Sequence, residues 1–353
     1  MVTSPANNPT WVLERNPYSI WVDTEGNQLP YMDKIVMTLA ENLEVLNLRS
    51  IAGEIDCQSR HISFPNLPVF LENQKKGGYK VYLDTMDSGS DLGVMFNMSY
   101  KADPEIAKWI SNVDFRRALA IGIDRDQFNE TFLLGMGVSG SVVPGEHTAY
   151  SPGPEYRSMW ASHDPKKANE MLDSIGLNKK DSGGYRLRTD GKGRLRLQLT
   201  AYLGNVPWTP VGEMFAQQVK KIGIQVDVKE MERSLAETLV SANEHQLYVN
   251  ANDGTEHMFT RPLLLFPDRP GNYLGPLYGT WFASGGTQGA EPPRRMREAM
   301  EKFKKAFGVP YDERVKLGKD IWKIASEDVW HIGIAGLSPA NTGLRVCKTN
   351  LGN

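Results

Sequence analysis

The sequence is short of cysteine and of long apolar runs. Its 353 residues include two cysteines, Cys57 and Cys347, too few for a disulfide framework or a cysteine-rich metal cluster. No apolar stretch reaches the roughly 18–20 residues that a transmembrane helix needs. The N-terminus also lacks the basic and apolar regions of a signal peptide. These absences favour a folded domain with an ordinary apolar core, for which a hydrophobic content of 40% is ample.

The sequence also lacks a strong net charge and the common catalytic motifs. Its 40 basic and 42 acidic residues give a formal charge of −2, so electrostatics favours neither nucleic acid nor an anionic membrane surface. The six histidines are scattered without an HExxH or HxH pattern. There is no G-x-S-x-G, no P-loop and no G-x-G-x-x-G. We therefore predict no catalytic residue, no metal site, no cofactor and no nucleic-acid partner.

What the sequence does contain is organised around residues 92–134. The apolar run 92–96 is short and rich in β-formers, which predicts a buried strand. Asp103 precedes a proline and interrupts the chain, so we expect a loop there. Asn112 or Asp114 can cap a first helix and Asp124 a second. This pattern predicts a strand, a crossing loop and a helix pair.

The flanking regions predict two α/β blocks. Residues 11–98 alternate strand and helix patterns, and residues 164–228 predict a helix, a hairpin, a second helix and a strand. A chain of this length is too long for one ordinary domain, so two compact lobes are expected. Arg116, Arg117 and Arg125 are expected to form a charged helix face or ion pairs with Asp114 and Asp124.

Several of these segments resemble the family 5 extracellular solute-binding proteins of bacterial ABC importers, which include dipeptide-, oligopeptide- and nickel-binding proteins. The matching motifs follow the family's order and spacing. They are Arg15-Asn16-Pro17-Tyr18, Gly26-Asn27, Leu29-Pro30-Tyr31, Gly53-Glu54-Ile55-Asp56, Phe96-Asn97, Asp114 to Ala118, Ile123-Asp124-Arg125 and Asp164-Pro165.

The resemblance implies a type II periplasmic-binding-protein-like α/β fold with two lobes, hinge crossings and an incomplete first lobe. It divides the chain into a partial first lobe (1–102), a distal ligand-binding lobe (103–328) and a return segment into the first lobe (329–353). The hinges are expected near 97–104 and 326–332. The resemblance also implies a periplasmic or cell-surface lipoprotein, whose signal peptide would lie in a missing N-terminal part.

The same resemblance places both cysteines in one lobe. A long-range bridge between Cys57 and Cys347 is therefore an alternative to two unpaired, mostly buried thiols. The unpaired state is the interpretation that we favour from the sequence.

The strongest candidates for ligand binding follow the predicted strand 247–249. Asn250, Asn252, Asp253 and Glu256 lie beyond its C-terminal end, where ligands bind in open α/β sheets. Amides and carboxylates suit a hydroxyl-rich ligand because they donate to and accept from hydroxyl groups. The alternative is an Asx turn or helix cap in which these side chains satisfy only backbone N–H groups.

Three further residues are candidates on weaker grounds. Trp281 lies before the glycine-rich stretch 285–289 and Trp208 between two prolines, so each could stack on an apolar ligand face or simply pack. Asn97 ends the strand at the expected crossing and is predicted to face the cleft.

We therefore predict a non-enzymatic solute-binding component of an ABC importer. It would capture a peptide, oligosaccharide or related small solute between two lobes and deliver it to a membrane permease. Two alternatives remain at this point: a carbohydrate-active hydrolase using Asp253 and Glu256 as paired carboxylates, and an extracellular sensor subunit.

Overall fold

The computed structural model describes residues 2–5, 7–204, 206–252 and 255–351, without the side chains of Thr255 and Glu256. Two predicted site groups, Asp253 and the carboxylate of Glu256, therefore lie outside the described part of the chain. No helix within that part is both long and apolar enough to span a bilayer.

The described chain contains strands and helices in mixed order. The strands are β1 (Thr10–Glu14), β2 (Lys34–Thr38), β3 (Cys57–Gln58), β4 (Tyr79–Leu83), β5 (Leu92–Phe96), β6 (Val138–Ser139), β7 (Arg196–Tyr202), β8 (Gln225–Met231), β9 (Leu247–Val249), β10 (His331–Gly336) and β11 (Leu344–Lys348). The α-helices are α1 (Leu43–Ile51), α2 (Leu67–Gly77), α3 (Pro104–Ser111), α4 (Val113–Ile121), α5 (Arg125–Leu133), α6 (Pro154–Arg157), α7 (Pro165–Ser174), α8 (Trp208–Lys220), α9 (Arg233–Ser241), α10 (Pro276–Ala283), α11 (Arg294–Lys305) and α12 (Tyr311–Glu327).

A six-stranded sheet in the order β6-β10-β5-β9-β7-β8 forms the largest part of the molecule. β5 runs antiparallel to β10 and β9, whereas β7 runs parallel to β9 and β8. Every residue of β5 and β10 is buried, which explains why both strands are nearly continuous apolar runs. We call residues 92–336, this sheet with its helices, the large unit.

The helices after β5 begin where the polar caps predict. The side chain of Asn112 accepts from the N–H groups of Asp114 and Phe115 at the start of α4. Asp124 caps α5 in the same way. A loop does precede Pro104, as predicted, and Asp103 is extended there. The sequence analysis missed a further helix, α3, which Asp103 caps and whose first residue is Pro104.

The charged helix face predicted for the arginines is also wrong for Arg116 and Arg125, which are buried. The Arg125 guanidinium donates to the carbonyls of Ala120 and Gly333 at 2.8 and 2.9 Å. It therefore ties α5 to the central strand β10 through hydrogen bonds to the backbone. Arg117 does pair with Asp114, at 3.1 Å.

A second sheet of three strands, in the order β3-β11-β4, carries its own small core. Helices α1 and α2 lie beside it, and Phe70, Tyr79, Leu344 and Val346 are buried within this core. We call residues 43–83 with 344–348 the small unit. Its two chain segments come from distant parts of the sequence.

β1 and β2 form a separate antiparallel ribbon, residues 10–38, with Val12 opposite Val36. All five residues of β2 are exposed. Several large apolar side chains of the ribbon and its connecting loop are exposed as well, including Ile20 at 87% and Trp21 at 73%.

The chain passes between the small and large units twice. It changes sheet between β4 and β5, at residues 84–91, and again between β10 and β11, at residues 337–343. Both changes differ from the crossings expected near 97–104 and 326–332, because β5 and β10 belong to the large sheet. The two connections are joined by hydrogen bonds, since Asp91 Oδ2 accepts from the hydroxyl and the N–H of Ser338.

Candidate functional site

A cleft of about 610 Å³ lies between the two units. The small unit and the connections contribute one wall through Arg60, Met86, Ser88, Asn341 and Thr342. The large unit contributes the rest. Those residues are Tyr202, Trp208, Arg233, Glu237, Val240, Ser241, Asn250, Ala251, Asn252, His257, Arg261, Leu263, Leu264, Arg269, Pro270, Gly271 and Tyr273.

An aromatic cluster forms the wall on the side of the large unit. The ring of Tyr202 lies 5.8 Å from both Trp208 and Tyr248, and it is stacked on Tyr248. Tyr273 lies 4.6 Å from Tyr248 on the other side. Since Tyr248 is buried in the sheet, it holds the two flanking tyrosines in place. Burial raises the pKa of Tyr202 and Tyr273, so their hydroxyls remain protonated donors at neutral pH.

The strand geometry explains why these groups meet. β7 ends at Tyr202 and the parallel strand β9 ends just before Asn250, so both residues lie at the same edge of the sheet. The Tyr202 hydroxyl is 3.5 Å from Asn250 Oδ1. Tyr202 was not predicted from the sequence, although the reasoning applied to β9 would have found it at the end of β7.

Asn252 is almost fully buried at the base of the cleft. Its N–H donates to the carbonyl of Ser90, and its side-chain Nδ2 donates to the carbonyl of Leu264 at 3.3 Å. In the part of the chain that the structure describes, its Oδ1 has no hydrogen-bond partner. Because unpartnered buried oxygens are costly, this acceptor is suited to a donor group of a ligand or a water molecule.

Charged side chains line the cleft around this base. Arg233 pairs with Glu237 at 2.8 Å, and its guanidinium lies 5.6 Å from the ring centre of Tyr202. Arg269 pairs with Asp268 at 2.7 Å. No sequence pattern pointed to these arginines or to Arg60, since each reaches the cleft through the tertiary fold.

The structure brings together three of the predicted site residues, Trp208, Asn250 and Asn252, at the cleft. Trp208 is nevertheless 2% exposed, so it also serves the core. Asp253 follows Asn252 in the sequence and, with the side chain of Glu256, lies outside the described residues.

Two other predicted site residues do not line the cleft. Asn97 is buried and its amide donates to Asn243 Oδ1 and to the carbonyl of His245, each at 2.9 Å. Those bonds use the amide to hold the end of β5. Trp281 lies on α10, partly buried against the large core and close to Gly286. A part in ligand binding for these two residues stays a prediction from the sequence.

The chemistry available in the cleft is stacking, hydrogen bonding and ion pairing with the lining arginines and Glu237. Among the described residues, no group of three or more histidine, cysteine or carboxylate side chains is placed to hold a metal ion. His245, which is buried behind Tyr273, donates to its carbonyl at 2.8 Å, and burial lowers its pKa to about 4. His245 therefore stays neutral and supports the aromatic wall.

Comparisons with known proteins agree with this architecture. Residues 1–283 match the family described as "Bacterial extracellular solute-binding proteins, family 5 Middle". A probable ABC transporter-binding protein of Deinococcus radiodurans is 25% identical over 244 residues, which are 66% of this chain and 39% of that protein. A periplasmic alpha-galactoside-binding protein of Rhizobium meliloti is 27% identical over 232 residues, covering 61% of this chain and 32% of the relative.

Solved structures share the fold over nearly the whole chain. The oligopeptide-binding protein OppA superposes with a TM-score of 0.70 at 29% identity, covering 99% of this chain and 57% of OppA. The periplasmic binding protein MelB of Agrobacterium fabrum, solved with stachyose, gives a TM-score of 0.75 at 18% identity. The match covers 98% of this chain and 51% of MelB. The chain thus spans about a third of the length of the curated relatives and about half that of these structures.

Proposed function

Because this chain belongs to the bacterial extracellular solute-binding proteins of family 5, we propose that it acts as the solute-binding component of an ABC importer. It captures a peptide, an oligosaccharide or a related small solute in the cleft and presents it to a membrane permease. It works in the periplasm or at the cell surface as a lipoprotein. In this proposal the solute is bound and released unchanged.

The observation that carries the proposal is the composition of the cleft. Binding sites for small solutes are concave and combine apolar or aromatic walls with a few convergent polar groups. Here Tyr202 and Tyr273 supply the aromatic wall, and Asn250 and Asn252 supply amides beside it. The small unit contributes Arg60 to the opposite wall, so a change in the angle between the units would open or close the cleft.

An oligosaccharide suits this cleft at least as well as a peptide. Tyrosine rings can stack on the apolar face of a sugar, and amides and guanidinium groups bond to its hydroxyls. Two relatives support this class, one named as an alpha-galactoside-binding protein and one solved with stachyose. OppA, named for oligopeptides, supports the peptide class.

Calorimetric titration of the chain with stachyose and with tetra-alanine tests the proposal. We expect one-to-one binding of one probe without any product. Tyr202→Leu should weaken that binding by about tenfold, or about 1.4 kcal/mol, because it removes the aromatic face and the hydroxyl while keeping an apolar side chain. Trp281→Leu is the matched control and should leave affinity unchanged.

Comparing Tyr202→Leu with Trp281→Leu also tests the prediction from the sequence that Trp281 binds the ligand. If Trp281→Leu weakens binding and Tyr202→Leu does not, the ligand lies near α10 and the cleft is the wrong site. A folded chain that binds neither probe contradicts these two ligand classes. Release of shorter sugars from stachyose would support the alternative of a carbohydrate-active hydrolase. Glu256→Gln should then abolish that release.

Asp253→Asn separates the two ligand classes. An amide still bonds sugar hydroxyls, so we expect little loss for an oligosaccharide. A peptide ammonium would lose a charge-assisted hydrogen bond, which is roughly twice as strong as a neutral one. A larger loss for Asp253→Asn than for Tyr202→Leu therefore indicates a ligand that carries an ammonium group.

A further inference from the structure

The two cysteines of the chain lie opposite each other in the sheet of the small unit. Cys347 in β11 pairs with Cys57 in β3, and the neighbouring pair is Val346 with Gln58. The two residues come from nearly opposite ends of the sequence. The fold therefore places two cysteines that are far apart in the sequence opposite each other.

The hydrogen-bond pattern shows which kind of cross-strand pair they form. Next to the two cysteines, Lys348 lies opposite Asp56, and its N–H donates to the Asp56 carbonyl at 2.7 Å. Lys348 and Asp56 are therefore a hydrogen-bonded pair. Since the two kinds of pair alternate along antiparallel strands, Cys57 and Cys347 form a non-hydrogen-bonded pair. Opposed Cα atoms are then about 4.5 Å apart, which lies within the range that a disulfide spans.

The side chains also point to the same side of the sheet. Leu344 and Val346 face the small core, so Cys347 and Arg345 face the other way. The Arg345 guanidinium lies 3.8 Å from Cys347 Sγ. Both cysteines are free in this structure, Cys57 exposed and Cys347 buried. Partial burial, together with a hydrogen bond between the two thiols, raises the pKa of Cys57 to about 11.

The geometry points to a disulfide between Cys57 and Cys347. A disulfide oxidant supplies the chemistry: one cysteine thiolate attacks the oxidant's disulfide and releases one of its thiols, and the other cysteine then attacks the mixed disulfide and releases the second thiol. The pair loses two protons and two electrons, and the oxidant is reduced to two thiols. The extracellular setting of the family is one in which such bonds form and persist.

This bond would lie in the sheet from which both connections leave, three residues along β11 from the end where Leu344 pairs with Leu83. β4 leads into residues 84–91, residues 337–343 lead into β11, and β11 lies between β4 and β3. Without the bond, β11 is held to the two-residue strand β3 by a short ladder. With it, β3 is joined covalently to β11, so the two distant chain segments of the small unit cannot separate.

The test is a count of free thiols after equilibration with oxidised glutathione at pH 8.5, acid quenching and labelling with a polyethylene-glycol maleimide under denaturing conditions. We expect no adduct on the wild-type chain before reduction and two adducts after it. Cys57→Ser and Cys347→Ser should each give one adduct or a glutathione mixed disulfide. A non-reduced digest should yield one peptide pair joined through Cys57 and Cys347, lighter by two hydrogens than the separate peptides.

Thermal melting provides a second readout. Reductant should lower the melting temperature of the oxidised wild type by roughly 5 °C or more, because the cross-link closes a very long loop. It should not affect the Cys57→Ser/Cys347→Ser variant. Two free thiols in the folded, oxidant-treated chain would overturn the proposal, and so would bonds that join only separate chains.

Discussion

The large unit and the N-terminal ribbon are stabilised in different ways. In the large unit, β5 and β10 are buried along their whole length, and even the guanidinium of Arg125 lies inside. In the ribbon, every residue of β2 is exposed. Both segments carry apolar side chains, so apolar content alone does not decide which strand is buried.

Local polar contacts hold the ribbon instead. Asp23 accepts from the Tyr31 hydroxyl at 2.6 Å and from the Asn27 side chain at 2.9 Å. These hydrogen bonds, led by that of Tyr31, hold the pKa of Asp23 well below its usual range. The comparison shows that tertiary burial organises the large unit, whereas the turn chemistry of a few polar residues shapes the ribbon.

The largest expected effect is in the large unit. Arg125→Met removes the donors that satisfy the carbonyls of Ala120 and Gly333, while keeping most of the apolar stem. Leaving buried carbonyls without partners should lower the free energy of unfolding by about 3–5 kcal/mol. Urea denaturation measures the change. Arg294→Met, at an exposed position of α11, is the control and should change stability by less than about 0.5 kcal/mol.

If both substitutions have equally small effects, the buried guanidinium is not what joins α5 to β10. The contrast between the two regions would then rest on apolar packing alone.

An intermediate effect is expected at the junction of the units. Burial raises the pKa of Asp91 to about 6, against the hydrogen bonds from Ser338 and the charge of Arg157. The folded state therefore binds more protons than the unfolded state between about pH 4 and pH 6. The resulting stability is present at low pH and is lost as the pH rises through 6.

Asp91→Asn removes this titration and can keep an oxygen that accepts from Ser338. It should be more stable than the wild type by about 1–3 kcal/mol at pH 8, and close to it at pH 4. Chemical denaturation across this pH range measures the difference. Asp84→Asn, which affects the exposed ion pair with Arg345, should show no comparable gain at pH 8. A loss of stability at pH 8 in Asp91→Asn would mean that the ionised carboxylate is needed beside Arg157.

The smallest effect on stability is expected in the ribbon. Ile20→Ser with Val36→Thr replaces two exposed apolar side chains, 87% and 61% exposed, and should change unfolding by less than about 0.5 kcal/mol. It should instead reduce self-association, since contiguous exposed apolar surface promotes contacts between chains. Sedimentation velocity measures the effect. Leu235→Ser, an isolated exposed residue on α9, is the control and should leave association unchanged.

A wild-type chain that is monomeric at high concentration would contradict this prediction. It would show that the exposed residues of the ribbon do not form a cohesive surface.

The sequence determined the elements that local chemistry specifies. The caps at Asn112 and Asp124 begin α4 and α5 as predicted, because a side-chain oxygen within three residues satisfies the free N–H groups. Asp164 caps α7 in the same way. The order and spacing of short motifs identified the family, which the match over residues 1–283 confirms. Strand β5 was also predicted from its apolar run.

The tertiary structure alone decided where those elements lie and which side chains meet. Asn97 was predicted for the cleft, but the partners of its amide, Asn243 and His245, are about 150 residues away in the chain. Tyr202, Arg233 and Thr342 reach one cleft from three separate elements. The pairing of Cys57 with Cys347 depends on the register of two strands at opposite ends of the sequence. Long-range contacts of this kind depend on the packing of whole sheets, which no local spacing of residues encodes.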